Sequence, residues 1–139
     1  MNLSAFLKDN RESGLTGEFD YQGLFTLSLG YLGQRRLMEA KRRAVMSVAG
    51  DGEAGFEAGF RREMAGLVRA WRGLNLAALS RLTDVALPAG ADPDQAVDCT
   101  PDNVAALMAE LPEFMEFVIA KAGDLEALRR QRAAEERKN

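Results

Sequence analysis

The chain has 139 residues, 47% of them apolar and 28% charged, and a net charge of −3. That length suits one domain around one core, and the composition excludes wholesale disorder and a membrane-embedded chain. A single cysteine, Cys99, forbids an internal disulfide, and the lack of any histidine removes the commonest general acid–base and a principal zinc ligand.

Residues 1–13 hold a short apolar patch, Leu3, Phe6 and Leu7, followed by polar residues, and read as a loosely held arm or a short helix. Acids stand where a signal peptide would carry its apolar stretch, and no apolar run approaches the roughly 20 residues that span a bilayer, so a cytoplasmic chain is expected. From Gly14 the period becomes two. Phe25, Leu27, Leu29 and Tyr31 alternate with Thr26, Ser28 and Gly30, which predicts a strand; with EFDY before it and Gln22 and Gly23 between, the pair reads as a small antiparallel hairpin turned on Gly23. A lone hairpin is marginal in water and needs helices to pack on.

Helical spacing begins at Gln34, where Leu37, Ala40 or Lys41, Ala44, Val45 and Val48 form a stripe that Gly50 and Gly52 end. Residues 53–72 then place Phe56, Phe60, Met64, Leu67, Val68 and Trp71 on a helical ladder, with Gly59 and Gly66 inside it as sites of close helix contact or of local weakness. A shorter helix is expected over 76–82, followed by the loop LPAGADPDQAVDC. Thr100 is a good N-cap, Pro101 suits the first helical position and Asp102 the positive helix end, so a helix carrying Val104, Leu107, Met108 and Leu111 starts there. Pro112 both ends that helix and starts another, which presents Phe114, Phe117, Val118, Leu125 and Leu128 before fraying into a polar tail, 130–139. The expected architecture is a mainly α single domain, 1–139: a small helical bundle with a short N-terminal β-hairpin.

Candidate chemistry is sparse. GDGEAG at 50–55 matches G-x-G-x-x-G, yet it follows a predicted helix instead of a strand, and Asp51 and Glu53 would repel a phosphate, so it reads as a turn between helices. Asp92 and Asp94 open like a calcium loop, but Ala96 occupies the third ligand position and Val97 the required glycine. Cys99 has no histidine to activate it and reads as a small apolar residue; no serine sits in a G-x-S-x-G elbow. Neither catalysis, metal nor cofactor is expected. The basic run Arg35, Arg36, Lys41, Arg42 and Arg43 supports an alternative, a small nucleic-acid-binding regulatory protein, against which stand the net acidity and the lack of interleaved aromatics. Acids instead gather at 84–102: Asp84, Asp92, Asp94, Asp98 and Asp102, with no Lys or Arg among them. Trp71 reads first as core and second as a partner-facing anchor.

Four stretches in order, LFTLSLGYLGQRRLMEAKRRA, VRAWRGL, TPDNVAALMAELPEFMEFVIAKA and AAEERKN, give the chain a resemblance to the phage tail assembly chaperones, small helical proteins encoded among the tail genes of siphophage-like phages and prophages. In such proteins a strand-like apolar segment enters a basic helix, W-x-G follows a helix, T-P-x-N opens another, a proline comes about ten residues later, and Lys-Asn often closes the chain. The stretch between Gly73 and Thr100 is longer here than the family's usual loop. The resemblance implies no catalysis. It implies binding of the tape measure protein, a long aggregation-prone helical chain, in the bacterial host cytoplasm, and recruitment of tail tube protein around it; a second copy of the chain is a further candidate partner. Many members also exist in a longer form made by translational frameshift. The helices that meet at Pro112 must diverge and leave a groove for another helix, which makes Trp71, Leu107, Phe114 and Phe117 the candidate partner-binding residues.

Overall fold

The computed structural model describes residues 2–4, 14–47 and 52–138. The predicted contributions of Phe6 and Leu7 to an N-terminal arm, of Val48 to a helical stripe, and of Gly50 and Asp51 to a turn lie outside the described residues.

The hairpin forms where period two and Gly23 place it. Strands β1 (Thr16–Tyr21) and β2 (Phe25–Gly30) pair antiparallel with Thr16 opposite Gly30 and Tyr21 opposite Phe25. Both Gln22 and Gly23 have positive φ, 55° and 71°, the requirement of a tight turn whose twist matches its strands. The Asp20 carboxylate accepts the Gly23 N–H at 2.7 Å and fixes the loop. Phe25, Leu27 and Leu29 of β2 all face the core.

The helix predicted over 53–72 is instead a helix and a strand. Helix α1 (Gln34–Ser47) is followed by α2 (Gly52–Ala65), and the chain turns at Gly66 and Leu67 into β3 (Val68–Arg72). This third strand pairs antiparallel with β2, Leu27 opposite Trp71 and Leu29 opposite Val68, with an irregularity at Ser28/Leu29. Strand pairing prevails because β2 would otherwise leave a row of N–H and C=O groups open, and β3 covers it. The row Phe19, Leu27, Trp71 thereby crosses the sheet on its core side.

Helix α1 also differs from its predicted stripe. Ala40 and Ala44 are buried and Leu37 half-buried, but Val45 is 57% exposed, as are Met38 at 60% and Met46 at 72%. Small residues set the inner face because α1 lies close on α2: a Cβ added to Gly59 would stand 3.4 Å from Ala44 Cα. Of the two explanations for glycine within α2, close contact holds at Gly59, and Gly66 follows the helix end.

Helix α3 (Leu76–Thr83) is capped by Asn75, whose side chain accepts the Ala78 N–H at 2.9 Å. Helix α4 (Pro101–Glu110) opens as expected, with Thr100 Oγ1 accepting the Asn103 N–H at 3.1 Å and Pro101 in the first turn. Leu111 separates it from α5 (Pro112–Ala122). The predicted continuation of α5 through Leu125 and Leu128 is broken at Gly123 and Asp124. There α6 (Leu125–Lys138) begins anew, Asp124 Oδ1 accepting the Ala127 N–H at 3.1 Å.

The terminal segment expected to fray is helical to Lys138, and its first half holds the sheet edge. Leu128 is fully buried, and Gln131 acts as a surrogate strand, its side chain accepting the Glu18 N–H and donating to the Glu18 carbonyl, each at 2.7 Å. Edge strand β1 is thus partly paired. The approach is possible because Gly17 lacks a Cβ; one added there would collide with Leu128 Cδ2 and stand 3.0 Å from Gln131 Oε1. Gly17→Ala should therefore destabilise the fold by about 1–3 kcal/mol, the usual cost of overpacking, measured by denaturant unfolding; an unchanged midpoint would contradict this packing.

Six helices dominate the described residues and a three-stranded antiparallel sheet completes them, a mainly α fold. The central core joins hairpin, sheet and helices through Tyr21, Leu27, Met64, Met108, Phe114 and Val118. Among the described residues no helix is long and apolar enough to cross a membrane.

Candidate functional site

The four residues singled out from sequence do not share one surface. Phe114 is fully buried and Leu107 5% exposed, while Trp71 and Phe117 are half-buried. Three of them belong to one aromatic network threaded through the hairpin. Trp71 meets Phe25 at 6.0 Å edge to face, Phe25 meets Phe114 at 6.0 Å, Phe114 meets Tyr21 at 5.2 Å, and Tyr21 meets Phe117 at 5.0 Å. Such contacts add roughly 0.5–1.5 kcal/mol each beyond area burial. Burial, with the Glu113 carboxylate adding to it, pushes the Tyr21 hydroxyl above its ordinary value, so the phenol stays neutral inside this cluster.

Phe114 consequently offers a partner no surface and is corrected to a core residue: the start of α5 lies over the sheet, so its first apolar side chain points down into the hairpin. Phe117 sits at the other end of the network, where the Lys121 ammonium stands 5.7 Å from its ring centroid and 6.0 Å from that of Phe19. The join of α4 and α5 packs on the core, with Leu111 8% exposed.

An apolar groove does exist, one layer away. It encloses about 380 Å³ between α3 and α4, with Trp71 and Leu74 at its base, Leu79 and Thr83 on the α3 wall, Leu107 and Glu110 on the α4 wall, and Val85, Leu87 and Pro88 along the rim. Trp71 and Leu107 are thus brought together. Trp71, which lines the groove, is oriented by its indole N–H, which donates to the Val97 carbonyl at 2.7 Å. The long 74–99 connection builds the rest. Its returning segment is tied to the start of α3 and the residues just before it by Val97 N–H to Leu74 O at 2.9 Å, Leu76 N–H to Gln95 O at 3.0 Å and Ala77 N–H to Pro93 O at 3.0 Å.

Two large apolar side chains stand open at the rim, Val85 at 59% and Leu87 at 37% exposure. Sequence reasoning passed over both because they lie in a proline- and glycine-rich loop. The signal was nonetheless present, since VALP puts apolar residues inside an otherwise acidic, polar stretch. Acids border them: Asp84 caps α3, and Glu110 lines the α4 wall.

The other candidate sites have simpler geometry. Arg43 of the basic helix is committed to Glu63 of α2 by two hydrogen bonds, 2.8 and 3.2 Å, which hold the Glu63 carboxyl below its ordinary value. Arg35 pairs with Glu39 at 3.2 Å, and Arg36 donates to the Tyr31 carbonyl at 3.1 Å. Burial pushes the Cys99 thiol up, a backbone hydrogen bond to Trp71 partly offsetting it, so the sulfur is a thiol at neutral pH. Asp92 accepts the Asp94 N–H at 2.9 Å, a local turn, and among the described residues no three His, Cys, Asp or Glu are grouped to hold a metal ion.

Comparison of the chain with protein-family models, with curated proteins and with solved structures finds no match.

Proposed function

We propose that the chain is a phage tail assembly chaperone that acts without catalysis in the host cytoplasm, holding apolar helical segments of the tape measure protein in the α3–α4 groove while tail tube subunits are recruited. The observation that carries the reading is the groove itself. It is open, lined mainly by aliphatic and aromatic side chains, and keeps Val85 and Leu87 exposed in the free chain, as a seat for the i, i+3, i+4, i+7 side chains of a partner helix requires. The resemblance carried by the four sequence stretches supplies the partner. The segment in which this chain departs from the family's usual pattern, 74–99, supplies most of the groove's lining.

The nucleic-acid alternative has less support, because Arg35, Arg36 and Arg43 are already engaged within the chain. Co-expression with a tape measure protein tests the proposal. The tape measure protein should be soluble with the chain and aggregate without it; aggregation in both cases would overturn the reading.

A further inference from the structure

The α3–α4 groove is lined mainly by apolar side chains, and Glu110 is the one charged residue in its lining among the described residues. The polar side chains beside it are already engaged within the chain. Ser80 Oγ donates to the Val85 carbonyl at 2.6 Å, Thr83 Oγ1 to the Leu79 carbonyl at 2.8 Å and the Asn103 side-chain amide to the Asp98 carbonyl at 2.9 Å. Glu110 has no hydrogen bond or ion pair among the described residues. Its place in the helix adds to the imbalance. Glu110 is the last residue of α4, where the helix dipole favours a cation, and no basic residue stands in that turn. Asp84, beside Val85 on the rim, caps the C-terminal end of α3 in the same way. Arg81 in the last turn of α3 is not part of the groove lining, and residues 84–102 hold five aspartates with no Lys or Arg.

We propose that Glu110 is a specificity-determining residue, and that the groove selects amphipathic helices carrying Lys or Arg along the edge of their apolar face. Val85 and Leu87 meet the apolar stripe of such a helix, and the Glu110 carboxylate meets the cation that borders it. The occupant is argued from charge complementarity, since the groove supplies carboxylates at its border and no cation of its own. Discrimination follows from what the wrong helix leaves behind. An uncharged helix with the same stripe covers Glu110 and gives its carboxylate no partner, and an acidic one sets like charges against each other where water is thinned out. The proposal rests on the groove being a helix seat and deepens that reading: of the helical segments in a long client, those with basic edges are the ones held, and acidic segments pass by.

The test uses the purified chain and two model helical peptides, both free of tryptophan and sharing one leucine stripe at i, i+3, i+4 and i+7. One carries Lys along the edges of the stripe and the other Glu. Binding is read by calorimetry and by the emission of Trp71, which lines the groove. The lysine-edged peptide should bind about tenfold more tightly at low salt, and the ratio should shrink as salt rises because the charges are exposed and screened. Glu110→Gln should cut the preference about threefold or more, and Glu110→Lys should shift it further toward the glutamate-edged peptide. Glu110 is exposed, so neither change empties the core, and circular dichroism verifies that both variants fold. Glu116→Gln is the control for net charge: Glu116 is exposed on α5 and lies outside the groove lining, and its loss should leave the preference as it was. Equal affinity of wild type for the two peptides, a preference undiminished in Glu110→Gln, or one that Glu116→Gln lowers just as far would each overturn the role of Glu110 and leave the groove reading intact. Binding of neither peptide would overturn the groove reading and this proposal with it.

Discussion

Phe114→Ala is expected to destabilise the chain by about 3–5 kcal/mol, the usual cost of emptying a fully buried aromatic site. Against a total stability of about 5–15 kcal/mol for a domain of this kind, that is a large share of what holds the fold together. The side chain has no exposed surface and touches both aromatic residues that flank the hairpin turn, Tyr21 at 5.2 Å and Phe25 at 6.0 Å. Its loss would leave a cavity bounded by the sheet on one side and α5 on the other. The region cannot collapse easily, because the end of α5 is tied to the segment after β2, where Leu32 N–H donates to Ala122 O at 2.9 Å. Denaturant unfolding measures the effect, and a loss below about 1 kcal/mol would contradict the packing. A Phe114 variant that fails to protect a client would therefore report on folding and say nothing of where the client binds.

Val85→Asp/Leu87→Asp is expected to act in the opposite way, leaving stability nearly unchanged and removing most of the protection of the tape measure protein. Both side chains are more than a third exposed, and surface substitutions of this kind usually cost within about 0.5 kcal/mol each. Two carboxylates at the rim would have to be desolvated without partners beneath an apolar helix, and they would add to the negative charge of Asp84 and Glu110. The tape measure protein co-expressed with this variant should be found mainly in the insoluble fraction, while the variant itself remains soluble with an unchanged unfolding midpoint. A folded variant that protects as well as wild type would place the client elsewhere on the chain.

Legibility in the sequence followed the range of the interactions. The β1–β2 hairpin was readable because a period of two and the Gln22–Gly23 pair before it both lie within a short span of chain. The start of α4 was readable because Thr100, Pro101 and Asp102 act locally. Strand β3 was not. Met64, Leu67, Val68 and Trp71 satisfy a helical ladder as well as a strand, Ala70 is exposed so no clean alternation shows, and the partner that decides the matter, β2, lies forty residues back. The break between α5 and α6 was marked by Gly123 followed by the capping Asp124, but an apolar stripe running across both obscured it. Gln131 gave no local sign that it would pair with Glu18, 113 residues away.

The candidate site was half legible for the same reason. Trp71 and Leu107 could be named as bulky residues near a helix junction, yet their meeting depends on how α3 and the 84–98 loop fold back between them. Phe114 and Phe117 looked equivalent to these on a helical wheel. Only the position of the sheet beneath α5 turns Phe114 inward and takes Phe117 to the Lys121 side. Val45 was misassigned to the inner face of α1, because an apolar residue beside Ala44 extends a plausible stripe; the close contact of Ala44 with Gly59 turns the helix so that Val45 faces out.

Trp71 is the sole tryptophan of the chain and lies at the base of the groove, so its fluorescence reads occupancy of the proposed site directly. Emission from the chain, held dilute enough to be monomeric by sedimentation, should shift to shorter wavelength and saturate as tryptophan-free helical segments of the tape measure protein are added, because a helix seated over the ring excludes water from it. The same titration of Val85→Asp/Leu87→Asp should show little shift. Binding established independently by calorimetry with the Trp71 emission unchanged would contradict the account, since a client held in this groove cannot leave that ring as wet as before.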